Sequence, residues 1–451
     1  MNVYDSARMS DVLATCGYIN TTNPKEADLI VLNTCHIREK ASEKMYSELG
    51  RLNKIKIARR ENGKQMLLAI GGCVGQAEGK EILRRAPYVD LVMGPQNYHR
   101  LPSLIHEAQS HSLVDIEFPK KSKFDYLPEE TIKTNGENNI SVFLTIQEGC
   151  DRFCTFCVVP YTRGSEYSRP VVDIDSEARR LVDKGAREIT LLGQNVNSYH
   201  GQSNVNGGKE FTLADLIYQL ADIEGLDRIR YTTSHPRDLT ADLIGAHRNI
   251  SILMPFLHLP VQTGSDRILK AMNRRHTVGY YQRQIQSLRK ARPDIAISSD
   301  FIVGYPGETD TDFEQTLKLV KNIGFAQSFS FKYSRRPGTP AAEAKESVPE
   351  AVKDIRLKVL QKALNKYQTK YNSSTVGLTL PVMFERSSRR NINQLVGKTP
   401  YAQWINANLP NTYLGQTVDI TVTKANNSRL EGESTEYRNL TRSNIMSTTS
   451  R

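Results

Sequence analysis

Three cysteines within eight residues are the most reactive feature of the chain. In "EGCDRFCTFCVVPYTRG", Cys150, Cys154 and Cys157 follow a C-x3-C-x2-C spacing. Thiolates are soft ligands, and three on one short loop can wrap three irons of a cubane cluster. The fourth iron then has no protein ligand and can take a small molecule. Zinc is the competing ion. A structural zinc site wants four ligands, usually in separated pairs, and no fourth Cys or His lies near these three in the sequence. The other cysteines are Cys16, Cys35 and Cys73. In a reducing compartment disulfides are not expected, so these read as ligands or as buried thiols.

Two apolar strands, "ADLIVLNTC" and "MLLAIGGC", run into Cys35 and Cys73, and "YVDLVMG" gives a third strand, with helices such as "REKASEKMYSELGRL" between them. Ligands collect at the carboxyl ends of strands in open parallel sheets, so the two cysteines are expected to share one sheet edge. Residues 1–107 thus read as a small α/β domain and 108–135, with "FPKKSKFDYLPEE", as a polar linker. The chain opens in a helix, with Asp5 or Ser6 as its cap, Met9, Val12, Leu13 and Cys16 at helical spacing, and Gly17 ending it. Cys16 on that apolar face reads as a buried small hydrophobe.

Over 136–368 a strand–helix unit recurs six times, from "ISVFLTIQEGC" (140–150) to "QSFSFKYS" (327–334). Alternation of this kind indicates a parallel sheet with right-handed crossovers, and six units suit an incomplete barrel. Its functional face is the one where strands end, and the cysteine triplet ends the first strand. Short strands over 371–434 form a small β module, and the polar tail 435–451 reads as disordered.

At 451 residues, with 39% hydrophobic and 24% charged residues, this is the composition of a soluble globular protein of about three domains. No run approaches the ~20 apolar residues of a membrane span and no signal peptide is visible, so a cytoplasmic protein is expected. Residues 351–451 hold fifteen Lys/Arg against six Asp/Glu, which places most of the net +11 charge in the last quarter of the chain. A polyanionic partner and a basic surface kept for solubility both fit that asymmetry.

The triplet resembles the defining motif of the radical S-adenosylmethionine (SAM) enzymes. In them the open iron of a 4Fe–4S cluster chelates SAM, and an electron splits it to methionine and a 5′-deoxyadenosyl radical. Together with "LNTCHIREKASEKMYSELGRL", "GGCVGQAEG", "CVVPYTRGSEYSRP", "LLGQNVNSY", "TTSHP", "FLHLPVQTGSDRILKAMNRRH" and "SSDFIVGYPGET", the whole chain resembles the radical SAM methylthiotransferases. That family has an N-terminal cluster domain, a partial (β/α)6 barrel and a C-terminal TRAM module for RNA. "NTCHIREKA", "VVPYTRG" and "GQNVNSY" look most like the branch that methylthiolates C2 of N(6)-dimethylallyladenosine (isopentenyladenosine) beside the tRNA anticodon. The alternatives are the threonylcarbamoyladenosine branch, the ribosomal-protein aspartate branch, and an RNA-binding iron–sulfur protein without transferase activity.

The resemblance implies two 4Fe–4S clusters and SAM as cofactors. Cys150, Cys154 and Cys157 match the radical SAM cluster ligands, and Cys35 and Cys73 match two ligands of an auxiliary cluster. The family's third auxiliary ligand lies in a first strand that would precede Met1, and a misplaced start codon is the expected reason that it is missing. Gln194 and Asn195 of "GQN", Ser299 and Asp300 of "SSD", and Gly304 of "VGYPGE" stand where the superfamily contacts SAM. Strand ends also need such residues simply to turn and to cap helices. Arg163 could pair with a carboxylate or phosphate, or form a surface salt bridge. His36, next to a cluster cysteine, reads as a hydrogen-bonding or surface residue, and His235 and His258 as structural or pocket-lining. Expected partners are the tRNA anticodon stem-loop, an electron donor such as flavodoxin and a sulfur donor, with no membrane and a monomeric protein.

Overall fold

The computed structural model describes all residues except 36–38, 130–139, 205–207, 390, 392 and 435–451. His36, the end of the expected linker and the C-terminal tail therefore lie outside the described residues. The chain divides into two compact units. One comprises Met1–Ile132, Glu148–Tyr167 and Ser334–Ala342, and the other Lys133–Gln147, Ser168–Tyr333 and Glu343–Arg451.

In the N-terminal unit, four parallel strands lie in sequence order: β1 (Leu29–Thr34), β2 (Leu67–Gly71), β3 (Leu91–Met93) and β4 (Leu113–Asp115). The fourth strand was not expected, since it falls in the stretch read as linker; three residues are too few to show a period. Helices α1 (Asn2–Ala14), α2 (Glu39–Glu61), α3 (Gly72–Glu78), α4 (Lys80–Arg85) and α5 (Leu101–Ala108) accompany the sheet. Met9 and Val12 of α1 pack with Leu101, Leu104 and Ile105 of α5 against Leu91 and Met93. Neither Asp5 nor Ser6 caps α1, which begins at Asn2; Asp5 is fully buried and used elsewhere. Gly17 turns the chain after the helix with φ +82°, a conformation that suits glycine. Cys16 is exposed, not buried, because it follows the last helical turn and leaves the apolar face. A groove of about 1030 Å³ runs between α1 and the edge strand β1, lined by Met9, Leu13, Leu29 and Val31 among others.

The second unit carries six parallel strands: β5 (Ser141–Thr145), β6 (Glu188–Leu192), β7 (Arg228–Thr232), β8 (Phe256–His258), β9 (Ala296–Val303) and β10 (Gln327–Lys332). They form two three-stranded runs, joined by a parallel bridge between Ile229 and Leu253. Alternate residues sort by face. Val142, Leu144, Ile189, Leu191, Ile229 and Tyr231 share one face, and all but the half-buried Val142 are buried. The opposite face carries Ser141, Phe143, Thr145, Glu188, Thr190, Leu192, Arg228, Arg230 and Thr232, most of them polar. An apolar face under helices and a polar face toward the lumen is what period-two strands produce. Connecting helices start at side-chain caps: Thr212 and Thr309 form capping boxes with Asp215 and Asp312, each worth about 1 kcal/mol.

Helix α13 (Glu350–Ser373) leads into a closed barrel of β11 (Thr379–Ser387), β12 (Gln394–Lys398), β13 (Trp404–Asn408), β14 (Thr417–Ala425) and β15 (Leu430–Glu433). One pair, β13 with β15, is parallel. Closure removes the free edges that a five-stranded open sheet would expose. This barrel docks on the six-stranded one through backbone carbonyls: Arg228 donates to Pro381 O (2.8 Å) and Lys398 O (2.9 Å), and Arg230 to Thr399 O and Pro400 O (2.9 Å each). On its surface, Trp404 lies beneath Lys398 Nζ (4.7 Å to the ring centroid) and Arg386 (5.6 Å).

Candidate cluster sites and barrel lumen

The triplet loop belongs to the N-terminal unit. It opens at Gly149, whose φ of +77° and lack of a Cβ are both needed: a Cβ there would stand 1.9 Å from Ser165 O. The Cys150 amide donates to Gly164 O (3.3 Å), Phe153 takes a φ of +47°, and the Cys157 amide donates to Cys154 O (2.9 Å). This wraps three thiols around one short loop. Cys154 is buried, and Cys150 and Cys157 are half-buried. Burial pushes the Cys150 thiol up to about 11, so its thiolate needs a cationic partner. Among the described residues no three His, Cys, Asp or Glu side chains already converge on one point. The donor set itself fits a cluster: three soft ligands on a loop that spans both sides of a tight turn.

Cys35 follows β1 directly, and Cys73 stands in the first turn of α3, just past β2. The register pairs Asn33 with Gly71 and bridges Thr34 to Gly72, so the two cysteines occupy neighbouring positions at one sheet edge. Helix α3, which carries Cys73, packs against α6 (Val159–Arg163), which follows the triplet. Both cysteine sets are thus held by the same unit. The pair is one thiol short of the three that the resemblance implies.

Four buried charges lie beside them. Arg163 donates from Nη2 to Asp5 Oδ2 (2.5 Å) and from Nη1 to Glu148 Oε1 (2.5 Å). Lys123 Nζ meets Glu148 (2.8 Å) and Pro95 O (2.9 Å), and stands 3.8 Å from Asp5. Burial works to raise the Asp5 pKa, but Arg163 and Lys123 beside it hold the carboxyl below its ordinary value. Arg163 is therefore an interior hub, not a surface salt bridge. Sequence reasoning missed Asp5, Lys123 and Glu148, because ion pairs spanning 15 to 158 positions leave no local pattern.

In the second unit, "GQN" is built around one side chain. Gln147 Oε1 accepts the amides of Gln194 (2.9 Å) and Asn195 (3.1 Å), and Asn195 Nδ2 donates to Asp238 (2.8 Å). On β9, the hydroxyl of Ser299 accepts the Val261 amide (3.0 Å) and also bonds Tyr281, whose ring belongs to α11 (Val278–Ala291). The Ser299 hydroxyl thus faces the helix layer. Its neighbours Ser298 and Asp300 share the other face with His258: His258 Nδ1 lies 3.0 Å from Ser298 Oγ, and Nε2 lies 3.4 Å from Asp300 Oδ2. The rings of Phe143 and Phe329 are each about two-fifths exposed on strands of this barrel. Gly304 has a φ of +70°, and a Cβ there would sit 2.3 Å from Lys353 Cγ. Its amide donates to Glu308 Oε2 (2.6 Å), a buried carboxylate paired with Arg356 (2.8 Å). His235 is buried and caps a short turn, accepting the Arg237 amide (3.2 Å).

Family models match three consecutive parts of the chain. Residues 1–94 match the uncharacterized protein family UPF0004, 144–320 the radical SAM superfamily, and 373–435 the TRAM domain. Together they give the UPF0004, radical SAM and TRAM architecture of the radical SAM methylthiotransferases. The radical SAM match implies a 4Fe–4S cluster and SAM, UPF0004 proteins typically bind a second cluster, and the TRAM domain suggests RNA binding. Among solved structures, the radical SAM methyltransferase TsrM from Kitasatospora setae, with cobalamin and a 4Fe–4S cluster bound, is 11% identical. The alignment covers 75% of this chain and 74% of TsrM, with a TM-score of 0.54. Apo OxsB, a cobalamin-dependent radical SAM enzyme, is 13% identical over 80% of this chain and 53% of its own, at a TM-score of 0.52. The chain thus spans about half the length of OxsB. At these identities the likeness is one of fold. No helix among the described residues is long and apolar enough to cross a membrane.

Proposed function

We propose that the chain methylthiolates C2 of N(6)-dimethylallyladenosine next to the anticodon of tRNA. The observation that supports this most directly is the pairing of two cysteine sets within one unit, Cys35 with Cys73 at a sheet edge and the triplet on a loop packed beside it through α6. Methylthiolation needs sulfur delivery and radical generation close together, and a basic module suits a tRNA substrate. An unstacked anticodon-loop base is the accessible form for chemistry on a ring carbon.

Cys150, Cys154 and Cys157 would hold the radical SAM cluster, and Cys35 and Cys73 would hold the auxiliary one together with a further ligand. Bound there, the clusters supply the electron that cleaves SAM and a site for the sulfur to be transferred. The chain's own residues position and shield. Arg163 ties the loop after the triplet to Asp5 of α1, fixing the cysteine loop against the N-terminal sheet. Gln147 sets the "GQN" turn, with Gln194 and Asn195 as the SAM-facing backbone. Asp300 and Ser298, with His258, offer carboxylate, hydroxyl and imidazole groups for a ribose or an adenine edge. Gly304 permits the close backbone approach at the end of β9.

The test is nucleoside mass spectrometry of tRNA from a strain lacking 2-methylthio-isopentenyladenosine. Expression of this chain is expected to restore the modified nucleoside. Restoration of only the threonylcarbamoyl analogue, or modification of a ribosomal protein instead, would sink the reading.

A further inference from the structure

The segment "FPKKSKF" (118–124) forms one wall of a cleft of about 540 Å³ in the N-terminal unit, and residues 160–167, leaving the cysteine loop, form the other. Lys120 and Lys121 are exposed side by side, and neither is paired among the described residues. Three rings accompany them. Phe118 is 47% exposed and lies over Gly164, where a Cβ would come within 3.2 Å of it. Tyr167 is 38% exposed and stacks with Phe124 at 6.3 Å between centroids and 15° between planes. The floor is electrically quiet, because Arg163 and Glu148 satisfy each other there. Glu166 is the acid on the rim.

Two unpaired ammonium groups beside exposed ring faces match single-stranded nucleic acid, in which phosphates and base faces alternate. An acidic peptide would engage the lysines but leave the rings without partners. We propose that this cleft binds single-stranded RNA next to the cysteine loop, with Lys120 and Lys121 on phosphates and Phe118 and Tyr167 against bases. The proposal rests on the reading of tRNA as substrate and adds to it an RNA contact outside the TRAM domain.

The experiment is equilibrium binding of the full chain to a tRNA anticodon stem-loop across a salt series. For K120Q/K121Q, affinity is expected to fall about tenfold, and the slope of log K against log salt to become shallower by about 1.4, since each single-strand phosphate contact contributes about 0.7. Phe118→Ala should weaken binding about fivefold or more with the slope unchanged, because stacking releases no counterions. Should F118A fail to fold, the exposed lysine pair decides alone. If wild type binds and K120Q/K121Q keeps its affinity and slope, the cleft proposal is overturned and the tRNA reading stands. Failure of wild type to bind the stem-loop at any salt would overturn both. Competition by polyglutamate as strong as by single-stranded RNA would likewise overturn the cleft proposal.

Discussion

Arg163 carries two buried ion pairs at once, and its removal would strand Asp5 and Glu148 in the interior with only Lys123 between them. Breaking a buried pair by deleting one partner costs about 3–5 kcal/mol, far more than the pair contributes over an apolar substitute. Arg163→Gln is therefore expected to lower the thermal midpoint and to speed proteolysis of the N-terminal unit. Asp5→Asn should be milder, because Arg163 keeps Glu148; equal losses would show that the hub is not shared. The cysteines make a separate prediction. Anaerobic reconstitution of two cubanes gives about eight irons per chain, and Cys154→Ser should lower that to about four. A wild-type count of about four would mean that Cys35 and Cys73 do not assemble a cluster in this chain. The triplet was legible in the sequence because a ligand set on one loop is a local pattern. The hub was not, because its members come from α1, the 118–124 segment and both flanks of the cysteine loop.

Among elements, the cysteine loop depends on one glycine. Gly149→Ala adds a Cβ 1.9 Å from a carbonyl oxygen at a positive φ, so the loop must shift. Iron loading of the triplet is expected to fall, with the second unit's unfolding unchanged. The barrel helices predict a pH dependence. His247 on α9 (Ala241–Asn249) is fully buried against Tyr231, and burial pushes its pKa down to about 3; burial likewise holds His276 at about 4. Both lie below the ordinary 6.5, so the unfolded chain binds protons that the folded one refuses. Stability should decline as pH falls from 6.5, with the His276 share spent near pH 4 and the His247 share near pH 3. Denaturation of His247→Gln across that window should show a shallower decline than wild type. The six barrel strands were visible from their spacing and from the helices between them. The short β4 was not, and neither was the side on which Ser299 falls, since a one-residue offset reverses a strand's faces.

For the whole molecule, the charge asymmetry of the last quarter was plain in the composition, but the way its barrel is fastened was not. Four hydrogen bonds from Arg228 and Arg230 end on backbone carbonyls, which any sequence would supply. Bonds from charged donors are worth about 1.5–3 kcal/mol each, so the attachment is rigid although it uses few side chains. Arg228→Ala with Arg230→Ala should loosen the TRAM domain and accelerate cleavage near residues 373–378; unchanged protection would show that α13 alone fixes it. Trp404 is the sole tryptophan of the 451 residues, and it stands under Lys398 and Arg386. Indole emission from this protein therefore reports on one strand of one module. A ligand that draws those two cations away from the ring should shift that emission without any label being attached.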